Sequence, residues 1–294
     1  MANVKELRGR IKSIANIAKI TKAMEMVASM KLRKVQGRAA AFRPYTEELR
    51  KLLDHLASSV DTDAELPLFR RREVKTVGVL LITSDRGLCG AYNANVLQKV
   101  SQLRREAEAS KQKLVFYVIG KKGYAWLGRR GQTVKHFYAD PALESLDFST
   151  ARIASNDLVA AFLGGEIDEV RLIFTAFHSA ARFEPRNETF LPIGGELAAK
   201  SEPGEGKENS VYLLEPDPQS IFERILPKYL QTVVFDAMVE SLAAEMASRR
   251  MAMKGATDAA TRMGKTLKKK YNRARQENIT KELLDIVGGA NAVS

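Results

Sequence analysis

The stretch VKELRGRIKSIANIAKITKAMEMV, residues 4–27, decides the fold. Its apolar residues fall at three- and four-residue steps: Val4, Leu7, Ile11, Ile14, Ile17, Ile20, Met24 and Val27, continuing past Leu32 and Val35. That spacing is one face of a helix. Between those positions lie Lys5, Arg8, Arg10, Lys12, Lys19, Lys22, Lys31, Arg33, Lys34 and Arg38, with few acids, so the other face is strongly basic. Gly9, Gly37 and Pro44 weaken the pattern locally, yet residues 47–56 resume it. One long helix over 1–58, kinked near Pro44, is the expectation.

The far end of the chain reads the same way. After YLLEPDP at 212–218, with prolines suited to a helix start, apolar residues recur at Ile221, Ile225, Tyr229, Val233, Ala237, Met238, Leu242 and Met246. They continue less densely through Met251, Met263, Leu267, Ile279, Leu283 and Ile286 to a stop at Gly288 and Gly289. The spacing predicts a second helix over 217–287, with a kink near Pro227. Helices of roughly 50 to 70 residues are about 80–100 Å long, and each exposes its apolar stripe unless something runs beside it. The other terminus is the available partner, and a chain that returns through a middle domain pairs antiparallel.

Between the ends the composition changes. Residues 74–83 (VKTVGVLLIT) read as a buried strand, SDRGLCG at 84–90 as a turn, and 92–109 as a helix. The rhythm repeats with strands at 114–119, 133–138 and 170–177, helices at 121–130 and 150–164, and an edge strand at 188–193. This is an α/β unit over 74–193. Residues 194–216 are expected to form a mobile loop and a foot, the Gly-, Glu-, Lys- and Ser-rich part at 194–210 being the mobile one. The fold class is therefore α/β: a long antiparallel coiled coil of the N- and C-terminal helices plus a Rossmann-like α/β middle domain.

Of 294 residues 45% are hydrophobic, enough for a real core, and 47 Lys and Arg against 35 Asp and Glu leave a net charge of +12. Such a surface seeks something acidic: nucleic acid, an anionic membrane face or an acidic protein. The single cysteine, Cys89, excludes an internal disulfide and a multi-cysteine metal site, and it fits a reducing compartment. The N-terminus has no apolar signal-peptide core, and a mitochondrial transit peptide fits it less well than a helix that begins at once. No 18-residue apolar run spans a membrane.

Candidate chemistry is sparse. AATRMGKT at 259–266 matches a loosened phosphate-loop pattern with Ala in place of the first Gly, but a true phosphate loop follows a strand, and this segment lies inside a helical stripe. SDRGLCG sits after the first strand yet lacks both GxGxxG and GK[ST], which favours a structural glycine turn. Cys89 reads as a buried apolar cysteine, and His55, His136 and His178 do not converge. No zinc signature and no carboxylate pair stand out, so no catalytic, cofactor-binding or metal residues are assigned. The Lys268-Lys269-Lys270 run, with Arg262, Lys265, Arg273 and Arg275, is a solvated face, a nucleic-acid surface or a surface for acidic protein loops. A basic-region zipper is disfavoured because the charges spread along the stripe itself.

Three blocks carry a resemblance. ITKAMEMVA at 20–28, KLRK at 31–34 and RPY at 43–45 resemble the N-terminal helix of the gamma subunits of F-type ATP synthases. SDRGLCG at 84–90 resembles that family's middle-domain turn. YLLEPDP at 212–218, EMASRR at 245–250, MKGATD at 253–258 and YNRARQ at 271–276, on to Ile279, Thr280 and 282–288, resemble its C-terminal helix. The resemblance covers the whole chain in order. It implies a central rotor shaft, not itself an enzyme, that couples proton flow through a membrane c-ring to the catalytic beta subunits. The implied partners are a ring of alpha and beta subunits, the epsilon subunit and the c-ring, with no cofactor and no nucleic acid. By position, Met24, Arg249, Arg275, Gln276, Thr280 and Glu282 match the rotor-to-stator contact region, and Tyr212 and Glu215 match the foot on the c-ring and epsilon. The implied location is peripheral, on the cytoplasmic side of a bacterial inner membrane. Two departures are Ala91, where the family often has a second glycine, and Pro227 inside the expected helix; the paired cysteines of chloroplast forms are absent. The rival readings are a basic coiled coil that binds nucleic acid and an NTPase using the segment at 264–266.

Overall fold

The computed structural model describes residues 4–59, 67–193 and 218–293. In chain order the elements are α1 (Val4–Ser59), β1 (Thr76–Ile82), α2 (Tyr92–Ala109), β2 (Lys113–Ile119), α3 (Lys121–Gly128), β3 (Val134–Tyr138), a short 3₁₀ turn (Leu143–Ser145), α4 (Phe148–Leu163), β4 (Glu169–Phe177), β5 (Phe183–Leu191) and α5 (Pro218–Val293). Both terminal segments are single long helices, and both run through their internal prolines, Pro44 and Pro227. The expected stop at Gly288 and Gly289 is corrected: α5 continues past them to Val293. A glycine weakens a helix by about 1 kcal/mol and does not end one by itself.

By contacts the chain divides into two compact units. One joins Met1–Met30 to Arg249–Ser294, and the other is Lys31–Ser248, so the division cuts both long helices.

In the second unit the five strands lie in the order β3-β2-β1-β4-β5, parallel except for β5, which pairs antiparallel with β4 along the edge. Alternation along the strands separates two cores. Val77, Val79 and Leu81 of β1, with Phe116 and Val118 of β2, pack under α2 (Val96, Val100, Leu103) and Leu127 of α3. The opposite face, Leu80, Ile82, Tyr117, Ile119, Leu172 and Phe174, is covered by α4 and by Phe222, Leu226, Leu230, Val234, Met238 and Leu242 of α5, with Leu32, Val35 and Leu53 of α1 in the same cluster. A central strand buried on both faces explains why VKTVGVLLIT reads as an uninterrupted apolar run. Gly120 is required where β2 turns into α3. It sits at φ +100°, and a methyl there would lie 2.0 Å from the Thr83 carbonyl oxygen.

Candidate functional site

The turn at 84–90 is an anchor for α5. Ser84 donates its hydroxyl to the Arg86 carbonyl (2.7 Å), the Asn93 side-chain carbonyl accepts from the Ser84 amide (3.1 Å), and the Asn93 amide donates to Cys89 Sγ (3.2 Å). Ser248 of α5 then donates its hydroxyl to the Cys89 carbonyl at 2.6 Å, and Cys89, Tyr92 and Ala244 form one small buried cluster. Burial, and next the nearby Glu245 carboxylate, push the Tyr92 hydroxyl far above its ordinary pKa, so it stays neutral. Gly90 takes φ +58°, the left-handed region that favours glycine, whereas Ala91 sits at φ −85°, which any residue adopts. Departure from the glycine pair therefore leaves the turn intact.

No catalytic arrangement is present among the described residues. Cys89 is buried and hydrogen-bonded, and no group of three His, Cys, Asp or Glu among the described residues could hold a metal. Gly264, Lys265 and Thr266 lie within α5, where the Thr266 hydroxyl donates to the Arg262 carbonyl one turn back (3.2 Å). The backbone amides there belong to the helix ladder and cannot converge on a phosphate.

What remains is the unit formed by the two chain ends. The Thr21 and Thr257 hydroxyls meet at 2.8 Å, and a methyl added to Gly264 would lie 3.7 Å from Ile14 Cγ2. Those pairs are one heptad apart on each helix, in opposite directions, which fixes an antiparallel register. Covered positions on α1 step alternately by three and four: Val4, Leu7, Ile11, Ile14, Ala18, Thr21, Glu25 and Ala28. Their counterparts on α5 include Met253, Ala256, Thr257, Ala260, Gly264, Leu267, Tyr271 and Ala274. The expected apolar stripe is thus corrected at three positions: Ile17, Ile20 and Val27 face solvent, with Ile20 60% exposed, while Ala18, Thr21, Glu25 and Ala28 occupy the seam there; Leu32 and Val35 of the same stripe are buried. An apolar series stepping by three drifts off the inward face, which a left-handed coiled coil holds at 3.5 residues per turn.

Continuing that register brings Val4 opposite Ala274. Beyond it no helix runs beside α5 among the described residues, and every described side chain from 275 to 287 is exposed, including Ile279, Leu283, Leu284, Ile286 and Val287. The free end, 275–293, is about 28 Å long at 1.5 Å per residue.

Charge is segregated as well. Residues 1–30 and 249–294 hold seventeen Lys and Arg against six Asp and Glu, a net of +11 out of the chain's +12, whereas residues 31–248 are nearly neutral. Lys268, Lys269 and Lys270 are all exposed. Apolar side chains stand among these cations on the paired segment, Met26, Met30, Met251 and Met263 in addition to those above. Counting charge by region would have found this segregation in the sequence; the exchange of seam and surface needed the register.

The six residues matched to a contact region do not form one site. Met24 is half-buried beside the seam and Arg249 is 8% exposed, at a position that the register sets opposite Ser29. Arg275, Gln276, Thr280 and Glu282 are exposed on the free end, the first of them about 39 Å along the helix from Arg249. Two belts result, one on the paired segment and one beyond it. Tyr212 and Glu215 lie outside the described residues, as do residues 194–210.

The chain matches a family model described as ATP synthase over residues 3–293. The ATP synthase gamma chain of Chloroherpeton thalassium is 40% identical over 301 residues, covering 100% of this chain and 99% of the relative. That of Cupriavidus necator is 39% identical with both chains fully covered, and that of Mycolicibacterium smegmatis 38%, covering 100% of this chain and 98% of the relative. Among solved structures, a chain of the Euglena gracilis mitochondrial ATP synthase, in an assembly of OSCP, F1 and c-ring, superposes with a TM-score of 0.68 at 20% identity over 99% of this chain and 94% of its own. A chain from the central stalk and c-ring of the Tetrahymena thermophila enzyme gives 0.57 at 22% identity, over 81% and 99%.

Proposed function

This chain belongs to the ATP synthase gamma-chain family, and on that premise we propose that it is the central rotor of an F-type ATP synthase, without catalytic chemistry of its own. The paired ends stand inside a ring of alpha and beta subunits, whose sites make and hydrolyse ATP. Tyr212 and Glu215 hold the epsilon subunit and a proton-driven c-ring. The complex is peripheral to a bacterial inner membrane on its cytoplasmic side; among the described residues no helix is long and apolar enough to cross a membrane.

The observation that carries this reading is the surface of the two-helix unit: nearly all the net charge, with large apolar side chains left outside the seam. Exposed apolar groups in such number need a protein partner, and a nucleic-acid backbone would use only the cations. Burying the five on the free end contributes about 1.5–3 kcal/mol each at full coverage. Charges facing acidic loops guide a moving surface without locking it, because they act over several ångströms and require no fixed interdigitation.

Reconstitution tests this. Added to alpha and beta subunits of a close relative, the chain is expected to restore ATPase activity to a mixture that lacks gamma, while having none alone. No restoration with a competent mixture refutes the assignment. A nucleic-acid binder would instead show affinity that falls steeply with salt.

A further inference from the structure

The two edges of the sheet differ in charge and in how they are protected. Residues 109–139, from the end of α2 through β2, α3 and β3, hold seven Lys and Arg and no Asp or Glu, whereas the rest of Lys31–Ser248 has a net charge of −6. β3 closes the sheet on this side, and among the described residues no strand pairs with its outer edge. At the far edge β5 carries Pro185 and the ion-paired row Glu184, Arg186 and Glu188, which discourage pairing. β3 has only its irregular register at Lys135, in a strand that otherwise reads Val134, His136, Phe137, Tyr138.

α3 stands over this edge. Its Tyr124, 45% exposed, stacks on Phe137 of β3 with ring centroids 4.3 Å apart and planes within 10°, and Arg130 lies 3.9 Å over the Trp126 ring. Lys121, Lys122 and Arg129 are exposed around these rings, and their charged ends make no ion pair among the described residues. On the other side of β3 the charges are matched: Lys135 pairs with Glu166, and His136 stacks on Tyr138 at 3.8 Å from Asp157. The unmatched positive charge is therefore on the α3 side. Lys121 and Arg129 are about 12 Å apart along α3, within the roughly 17 Å that the five residues of β3 span.

We propose that β3 takes up an acidic, extended segment of a partner protein as a sixth strand, its backbone paired to the open edge and its carboxylates set against Lys121, Lys122 and Arg129. Backbone pairing supplies the affinity in such an addition, and charge selects the partner. A second copy of this chain is disfavoured as the occupant, because two lobes that each lack any acid repel. A single-stranded nucleic acid could stack on Tyr124 and Trp126, but it has no amides to offer a strand edge. The inference does not depend on the rotor reading, which leaves this edge unused.

The probe is a blocked peptide of about ten residues that alternates glutamate and valine, long enough to cover β3 and acidic along one side in either register. Hydrogen exchange on the full-length chain is expected to show about tenfold added protection of the amides of 134–138 at peptide concentrations near millimolar, and none in β5. N-methylation of two adjacent central amides, which blocks both edges of the peptide, is expected to abolish that protection, and a lysine–valine peptide to give none. Lys121→Glu combined with Lys122→Glu should weaken binding at least about tenfold. Unchanged exchange at 134–138 overturns the proposal. So does equal binding of the N-methylated peptide, which would mean a charge contact without strand addition, or binding of an oligouridylate in place of the acidic peptide. Should the double variant not fold, the N-methyl comparison, made on the wild-type chain, decides.

Discussion

Gly264→Ala should stabilise the paired ends, and by more than the same change at Gly255. Both glycines lie inside α5, where replacing glycine by alanine contributes about 0.5–1 kcal/mol through the unfolded chain's lost freedom. At Gly255 a new methyl finds nothing within 4 Å, so only that backbone effect operates. At Gly264 it lands 3.7 Å from Ile14 Cγ2, ordinary contact across the seam, and adds burial worth at most about 0.8 kcal/mol. Expected gains are therefore on the order of 1–1.5 kcal/mol against 0.5–1, or about five- to tenfold against two- to fivefold in the opening equilibrium. Native-state hydrogen exchange over residues 4–28 and 249–274 measures both variants in the full chain without requiring two-state unfolding. Protection in Gly264→Ala that merely equals Gly255→Ala, or drops below wild type, means that Ile14 does not face Gly264 and that the register is wrong.

Other outcomes follow from single contacts. Gly120→Ala drives a methyl to 2.0 Å from the Thr83 carbonyl at φ +100°, and soluble, native-like expression of that variant would contradict the turn geometry. Ser248→Ala removes the hydroxyl that α5 donates to the Cys89 carbonyl, at a cost of about 1–3 kcal/mol, visible as a lower urea midpoint at unchanged slope. Lys269→Ala and Arg275→Ala each delete one exposed charge among many and should keep most of the ATPase activity of the reconstituted complex; full loss of turnover with assembly intact would contradict a guided shaft.

The middle unit was readable almost strand by strand because buried parallel strands are written as continuous apolar runs, and VKTVGVLLIT admits few other readings. Edge strand β5 was less so. It starts at Phe183, well before residue 188, because Phe183–Leu191 carries Glu184, Pro185, Arg186 and Glu188, the composition by which an exposed edge avoids further pairing. At the chain ends the helices were legible and their seam was not. Apolar residues usually mark a buried face, and here the most conspicuous of them, Ile17, Ile20 and Val27, point outward. Only contacts to a second helix, Thr21 with Thr257 and Ile14 with Gly264, identify which stripe is inside.

That inversion bears on how such a shaft is held together. Ala18, Thr21, Glu25 and Ala28 against Met253, Ala256, Thr257 and Ala260 bury little apolar area, so the pair gains less from its own seam than a leucine zipper of equal length would. Small side chains in return let helix axes approach, giving a slimmer rod. The apolar groups absent from the seam are on the outside, where only a surrounding partner can cover them. On the proposed rotor reading, stability that a conventional coiled coil carries internally would come from contact with the ring, and the paired ends should open far more readily in the free chain than in the assembled complex. Hydrogen exchange over residues 15–28, compared between free and assembled chain, measures that contribution. Equal protection in both would mean that the small-residue seam suffices alone and that the outward apolar residues are not interface.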